Sequence, residues 1–289
     1  MEMYIMQKDT FMGCDSDYSL AKIVMFTAPF DGTTSFRPGA RFAGKAIRAD
    51  SFGVETYSPY QNKDLSQIKV TDLGDLELPF GNVPKMLNII EQQTAQILQA
   101  EKIPFMIGGE HLCTLGAMRA AIKKYPNLHI IHFDAHADLR DEYLGEKLSH
   151  ATVMRRCHEL LGETGKLHQF GIRSGDITEF AFAEKNTNMH KFTLENFKNF
   201  VESSQNLEKI PIYFSLDLDV LDTAVFPGTG TPEPGGVSFN DLHKAILKLQ
   251  KFDIIACDVC ELSPPYDTSG ISTAAACKII RELLLVIAE

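Results

Sequence analysis

One pattern constrains the fold more than any other: short β-rich runs alternate with helical segments along the whole chain. The runs 22–26, 104–107, 128–133, 167–172, 211–216 and 253–259 read as strands, and 86–102, 112–125, 239–251 and 273–288 carry apolar residues at three-to-four spacing. Ser238 with Asp241 supplies a cap for the helix that starts at 239. Strands separated by helices join as parallel neighbours, so the chain is expected to form an α/β fold with a mostly parallel sheet covered on both faces.

No repeat, low-complexity tract or linker divides the sequence, and 289 residues with 44% apolar and 23% charged content suit one core, so 1–289 reads as a single domain. A net charge of −10 without clustered Lys and Arg argues against nucleic acid and anionic membranes as partners. The first eight residues lack a basic segment followed by an apolar run, and no stretch approaches the roughly 18 apolar residues of a membrane span. With six scattered cysteines in a chain that needs no staples, a soluble, cytoplasmic protein with free thiols is expected. Cys257 and Cys260 have Cys-x-x-Cys spacing, yet they lie in a strand-like run with no second pair, which reads as core packing.

Three strand ends carry groups that bind metal. Gly-Gly-Glu-His111 follows 104–107, Asp134-Ala-His136-Ala-Asp138 follows 128–133, and Asp217-Leu-Asp219 follows 211–216. In extended backbone, residues two apart point to one side, so Asp134, His136 and Asp138 are expected to converge, as are Asp217 and Asp219. Ligands of open parallel sheets sit beyond the carboxyl ends of the strands, where all of these residues fall. One such residue alone would be a turn or cap; six in three clusters point to a site. Four carboxylates and two imidazoles in one crevice repel without cations, and two divalent ions offset that charge better than one. A carboxylate-rich set suits Mn²⁺ better than the thiolate or three-imidazole sets of Zn²⁺.

A decoy stands nearby. Gly39, Gly44 and Lys45 match the start of a phosphate-binding loop, but Ala46 occupies the position where Ser or Thr must hold Mg²⁺. The long Pro/Gly-rich passages 29–44 and 227–236 are bounded by structured segments, which is usual for functional loops.

The segments Gly-Gly-Glu-His111, His-Phe-Asp134-Ala-His-Ala-Asp138 and Ser215-Leu-Asp217-Leu-Asp219 resemble the three signatures of the ureohydrolases, the family of agmatinase and arginase. The similarity runs from Pro29-Phe-Asp-Gly through Glu261-Leu-Ser-Pro264. It implies a three-layer α/β/α arginase-like fold, commonly assembled as trimers or hexamers, with two Mn²⁺ per chain. His111, Asp134, Asp138 and Asp217 are then expected to hold one ion and Asp134, His136, Asp217 and Asp219 the other. The resemblance further marks His150 as the active-site histidine, Glu261 as the receiver of the guanidinium and Thr231 as a substrate contact. Two departures, Thr223 in place of proline and Ala43-Gly44 in place of Arg-Phe-Gly-Pro, put loop rigidity beside the site in question.

The chemistry explains the cast. A guanidinium carbon is a poor electrophile, and two divalent ions acidify a water from a pKa of about 15.7 into a usable nucleophile. Glu261 can pair with the guanidinium bidentately, and His150 can relay a proton to the departing amine. His129 and His132 alternate with apolar residues in 128–133 and read as packing. The run 139–148 lacks the polar set expected for an amino-acid head group, and its Asp141, Glu142 and Glu146 suggest a substrate with a bare ammonium tail, which favours agmatine over arginine. Alternatives are another guanidino or formimino hydrolase, a Zn-dependent deacetylase-type amide hydrolase, or a non-catalytic metal-binding protein; His150 and Glu261 together argue against the last.

Overall fold

A computed structural model describes residues 9–162, 165–204 and 207–288. In chain order the main elements are β1 (Ile23–Ala28), α1 (Ala43–Ser51), β2 (Tyr57–Ser58), β3 (Lys63–Asp64), β4 (Val70–Asp75), α2 (Val83–Gln99), β5 (Ile103–Gly108), α3 (Cys113–Lys124), β6 (His129–Phe133), α4 (Val153–Leu160), β7 (Leu167–Ile172), α5 (Ile177–Asn186), β8 (Asn188–Lys191), α6 (Glu195–Ser203), β9 (Pro211–Asp217), α7 (Phe239–Lys248), β10 (Asp253–Cys260) and α8 (Ile271–Ile287). Strands β2 and β3 form a small antiparallel hairpin. The other eight make one sheet in the order β4-β1-β5-β10-β9-β6-β7-β8, parallel throughout.

The continuous apolar runs of the strands follow from burial on both faces. In β1, Ile23 and Met25 join one core with residues of α1, α6, α7 and α8, while Val24 and Phe26 join the other with residues of α2, α3 and α4. That division is the two-residue period of a strand dividing its side chains between two helical layers. Helix α8 is apolar nearly all round, and its Leu283, Leu284 and Leu285 are fully buried, each worth about 1.5–3 kcal/mol of transfer free energy. The expected cap also forms, with Ser238 Oγ accepting from Asp241 N at 3.2 Å.

Elements absent from the sequence reading are short or at the edge: α1, α4, α5, α6, β4, β8 and the hairpin. For α5 a signal was present, since Asp176-Ile-Thr-Glu179 forms a capping box in which each side chain accepts from the other residue's backbone N–H. Cys257 and Cys260 are buried on β10, and all six cysteines are free. Among the described residues no helix is long and apolar enough to cross a membrane.

Candidate active site

The sheet order brings the site together. Strands β5, β10, β9 and β6 are consecutive neighbours, and their carboxyl ends lead into His111, Glu261, Asp217 and Asp134. The register aligns Cys260 with Asp217 and Phe133 with Leu216, so these ends are level. Gly109 lets the β5 end come close to the 29–35 loop: a side chain there would overlap the Phe30 backbone, its Cβ 1.9 Å from the carbonyl oxygen.

Convergence is achieved by a different route from the one expected. Strand β6 ends at Phe133 and β9 at Asp217, so Asp138 and Asp219 lie beyond the regular strands, although His136 still bridges to Ser174 and Asp217 keeps extended backbone. Asp138 bends back with φ 52°, and Asp217 caps a tight turn by accepting from Asp219 N at 2.8 Å. Glu261 likewise has φ 67°. Left-handed backbone at residues other than glycine costs about 1–3 kcal/mol each and clusters at functional sites.

Two groups of ligands result, joined by Asp134. His111 Nδ1 lies 3.2 Å from Asp134 Oδ2, 3.1 Å from Asp138 Oδ2 and 3.4 Å from Asp217 Oδ2. His136 Nδ1 lies 2.9 Å from Asp219 Oδ2 and 3.6 Å from the other oxygen of Asp134. The first group gathers His111, Asp134, Asp138 and Asp217, and the second His136, Asp134 and Asp219.

The ring of His111 is held in one tautomer. Tyr213 OH and Ser215 Oγ donate to the two oxygens of buried Asp258 at 2.6 and 2.8 Å, so the Ser215 oxygen is left to accept from His111 Nε2–H at 2.9 Å. Nδ1 therefore carries a lone pair. That atom is buried and has no hydrogen-bond partner despite the three carboxylates around it, as a divalent cation between them requires. In the protein alone, burial pushes this imidazole pKa down, but the carboxylates of Asp134, Asp138 and Asp217 crowded around it outweigh that and hold the pKa well above the ordinary value. A cation takes the place of that proton, so the donor set fits the implied metal centre.

His132 corrects the sequence reading. It is fully buried, as packing required, but Gln169 Nε2 donates to its Nδ1 at 3.2 Å and its Nε2 meets Asp134 Oδ2 at 2.9 Å. Gln169 thus sets the tautomer in which His132 donates to the carboxylate, a role that periodicity cannot distinguish from core packing. His129 does pack, against His168 at 3.1 Å between ring nitrogens.

The remaining predicted residues stand around this cluster. A cavity of 170 Å³ is lined by Ser35, His136, Asp138, Arg140, Tyr143, His150, Ala151, Glu179 and Thr231. Larger surface grooves lie along α5–β8 and α2–α3, away from the ligands. Ser35 Oγ contacts His150 Nε2 at 3.1 Å, and burial, with nearby His136, lowers the His150 pKa to about 4. Thr231 Oγ1 reaches Asp219 Oδ2 at 3.4 Å. Glu261 lies outside the cavity lining and is 4% exposed, its Oε1 accepting from His111 N at 2.8 Å. Burial raises its pKa to about 8.

Asp141, Glu142 and Glu146 are not where the substrate reading needs them. All three are exposed, and Asp141 pairs with Arg156 at 2.6 Å. The cause is a tight turn at Leu144-Gly145, both at positive φ, which pairs Tyr143 with Glu146 and turns the acidic side chains outward. The wall is made instead by Arg140, Tyr143 and buried Glu179, whose Oε1 accepts from Leu139 N at 2.8 Å. The departure at Thr223 leaves its loop well tied, because Asp222 accepts from Ala224 N, Gly235 N and Gly236 N.

A three-layer α/β/α fold with a buried His/Asp cation cradle at its central strand ends belongs to the class of α/β metallohydrolases. The sequence model of the Arginase family matches residues 21–286, and the chain belongs to that family. It is 42% identical over 279 residues to the agmatinase of Bacillus cereus, covering 95% of each chain. A solved structure from Clostridium difficile superposes with a TM-score of 0.90 at 48% identity, covering 94% of this chain and 99% of that one. The agmatine ureohydrolase of Thermoplasma volcanium superposes with a TM-score of 0.85 at 31% identity, covering 98% and 95%.

Proposed function

We propose that the chain is a ureohydrolase that splits agmatine and water into putrescine and urea. The observation that carries this reading is the lock between Glu261 and His111: one carboxylate oxygen accepts the backbone N–H of a metal ligand at 2.8 Å. A guanidinium paired with Glu261 is thereby set beside the cation cradle. His111, Asp134, Asp138 and Asp217 would hold one Mn²⁺, and Asp134, His136, Asp217 and Asp219 the other. When bound, the ions supply Lewis acidity that makes a water nucleophilic near neutral pH.

The chain's own groups do the rest. Glu261 orients the guanidinium carbon, with Thr231 beside it; Asp138 holds its metal-facing oxygen through its bent backbone. His150, kept neutral by burial, accepts the proton given up by the attacking water and hands it to the departing amine nitrogen as the C–N bond breaks. The reading treats 1–289 as one domain acting in the cytoplasm as a trimer or hexamer, in keeping with six free thiols.

Urea release from agmatine, arginine and 4-guanidinobutyrate at equal Mn²⁺ and pH tests it. The expected result is the highest kcat/KM for agmatine. Equal turnover of arginine or the guanidino acid would refute the substrate, and no urea from any of them would refute the reaction.

A further inference from the structure

One buried ionisable group in the Gly-Gly-Glu-His segment has no part in the scheme above. Glu110 is fully buried, next to a metal ligand. Its carboxylate accepts three hydrogen bonds from a single loop: Thr33 N at 2.9 Å, Thr33 Oγ1 at 2.6 Å and Thr34 Oγ1 at 3.1 Å. The Thr33 hydroxyl, having given its proton to Glu110, accepts the backbone N–H of His150 at 3.0 Å. Two residues on, Ser35 Oγ meets the ring Nε2 of the same histidine at 3.1 Å.

We infer that Glu110 and Thr33 are positioning residues for His150: the carboxylate fixes the polarity of the Thr33 hydroxyl, which pins the histidine's backbone while Ser35 on the same strap holds its ring at the cleft wall. This rests on the proton-relay role assigned to His150. Polarity is the essential point. The Thr33 hydroxyl donates to Glu110 Oε1 and keeps an oxygen lone pair for His150 N–H. An amide at position 110 has one acceptor oxygen, so it cannot accept from both Thr33 N–H and Thr33 Oγ1–H, which here go to different oxygens of Glu110. Backbone capping alone would not need a carboxyl group in the core, where burying it is costly.

The test uses the Mn²⁺-loaded enzyme with agmatine and the variants Thr33→Val, Thr33→Ser, Glu110→Gln and His150→Phe, with metal content measured for each. Thr33→Val keeps the shape and removes the hydroxyl; it is expected to keep both metals and lose roughly 10 to 100-fold in kcat with KM little changed, as misplacement of a reacting group does. Thr33→Ser is expected to restore kcat to within about threefold, and Glu110→Gln to resemble Thr33→Val. Adding Thr33→Val to His150→Phe is expected to cost nothing further, since both act through one group. Unchanged kcat in Thr33→Val, loss of metal from it, or additive losses in the double variant would each overturn the inference. A His150→Phe variant with full kcat and both metals would overturn the relay role instead.

Discussion

At the scale of single residues, the site depends on groups that serve two neighbours at once. Asp134 presents one oxygen to His111 and His132 and the other to His136. Asp134→Ala is therefore expected to lower metal occupancy at both positions, which elemental analysis of the purified protein reads directly; loss of one ion alone would contradict the bridging role. His150→Phe is expected to retain both ions and lose roughly 10² to 10⁴-fold in kcat, the range for a proton relay. Further out, Asp258 orients His111 through Ser215. Asp258→Asn offers a donor where two hydroxyls donate, so Mn²⁺ affinity is expected to fall about 10 to 100-fold, measured by titration calorimetry on metal-free protein.

At the scale of elements, the β2–β3 hairpin is tied to α8 through Glu282. Ser58 Oγ and Gln61 Nε2 donate to its Oε2 at 2.9 and 2.7 Å, Arg281 donates to Oε1, and His243 lies 3.5 Å away. Burial alone would raise this carboxyl pKa, but the hydrogen bonds from His243, Gln61, Arg281 and Ser58 outweigh it and lower it to about 2 from an ordinary 4.5. With the folded pKa depressed, the stabilisation is complete above about 4.5 and is lost as pH falls toward 2. Glu282→Gln is expected to be less stable than the parent at pH 7, with the gap closing across that window. Urea denaturation at a series of pH values checks this, and a gap constant with pH would remove the ion from the account.

At the scale of the whole molecule, the metal centre and the fold are linked. The proposed ligands come from the carboxyl ends of β5, β6 and β9, so ions that bind the folded chain alone would join three central strands. Ligand at about 100 times its dissociation constant adds roughly 2.7 kcal/mol. At about 2–4 °C per kcal/mol for a chain of this size class, saturating Mn²⁺ is expected to raise Tm by roughly 5–10 °C over chelator-treated protein. Scanning calorimetry with and without Mn²⁺ reads it, and coincident transitions would show that the cradle does not load.

The sequence by itself determined the layers and the His/Asp groups that gather at the central strand ends. Apolar runs bounded by amphipathic helices demand a buried parallel sheet, and Asp, His and Asp at strand ends are dear to bury unless a cation joins them, so both could be read without coordinates. What the sequence did not contain was direction. The segment 134–138 was read as extended, yet it converges through a positive φ at Asp138, because backbone bending is decided by the loops packed around it. The acidic run suggests that Asp141, Glu142 and Glu146 face the substrate, yet the turn at Leu144-Gly145 leaves them in solvent and Glu179, 40 positions from Leu139 in the chain, lines the cleft. Glu110, Ser35, Gln169 and Asp258 act on residues far from them in sequence. Local pattern carries burial and periodicity, whereas hydrogen bonds between strands that meet only in the folded sheet are decided by tertiary structure, and those bonds set the tautomers of His111 and His132 and the place of His150.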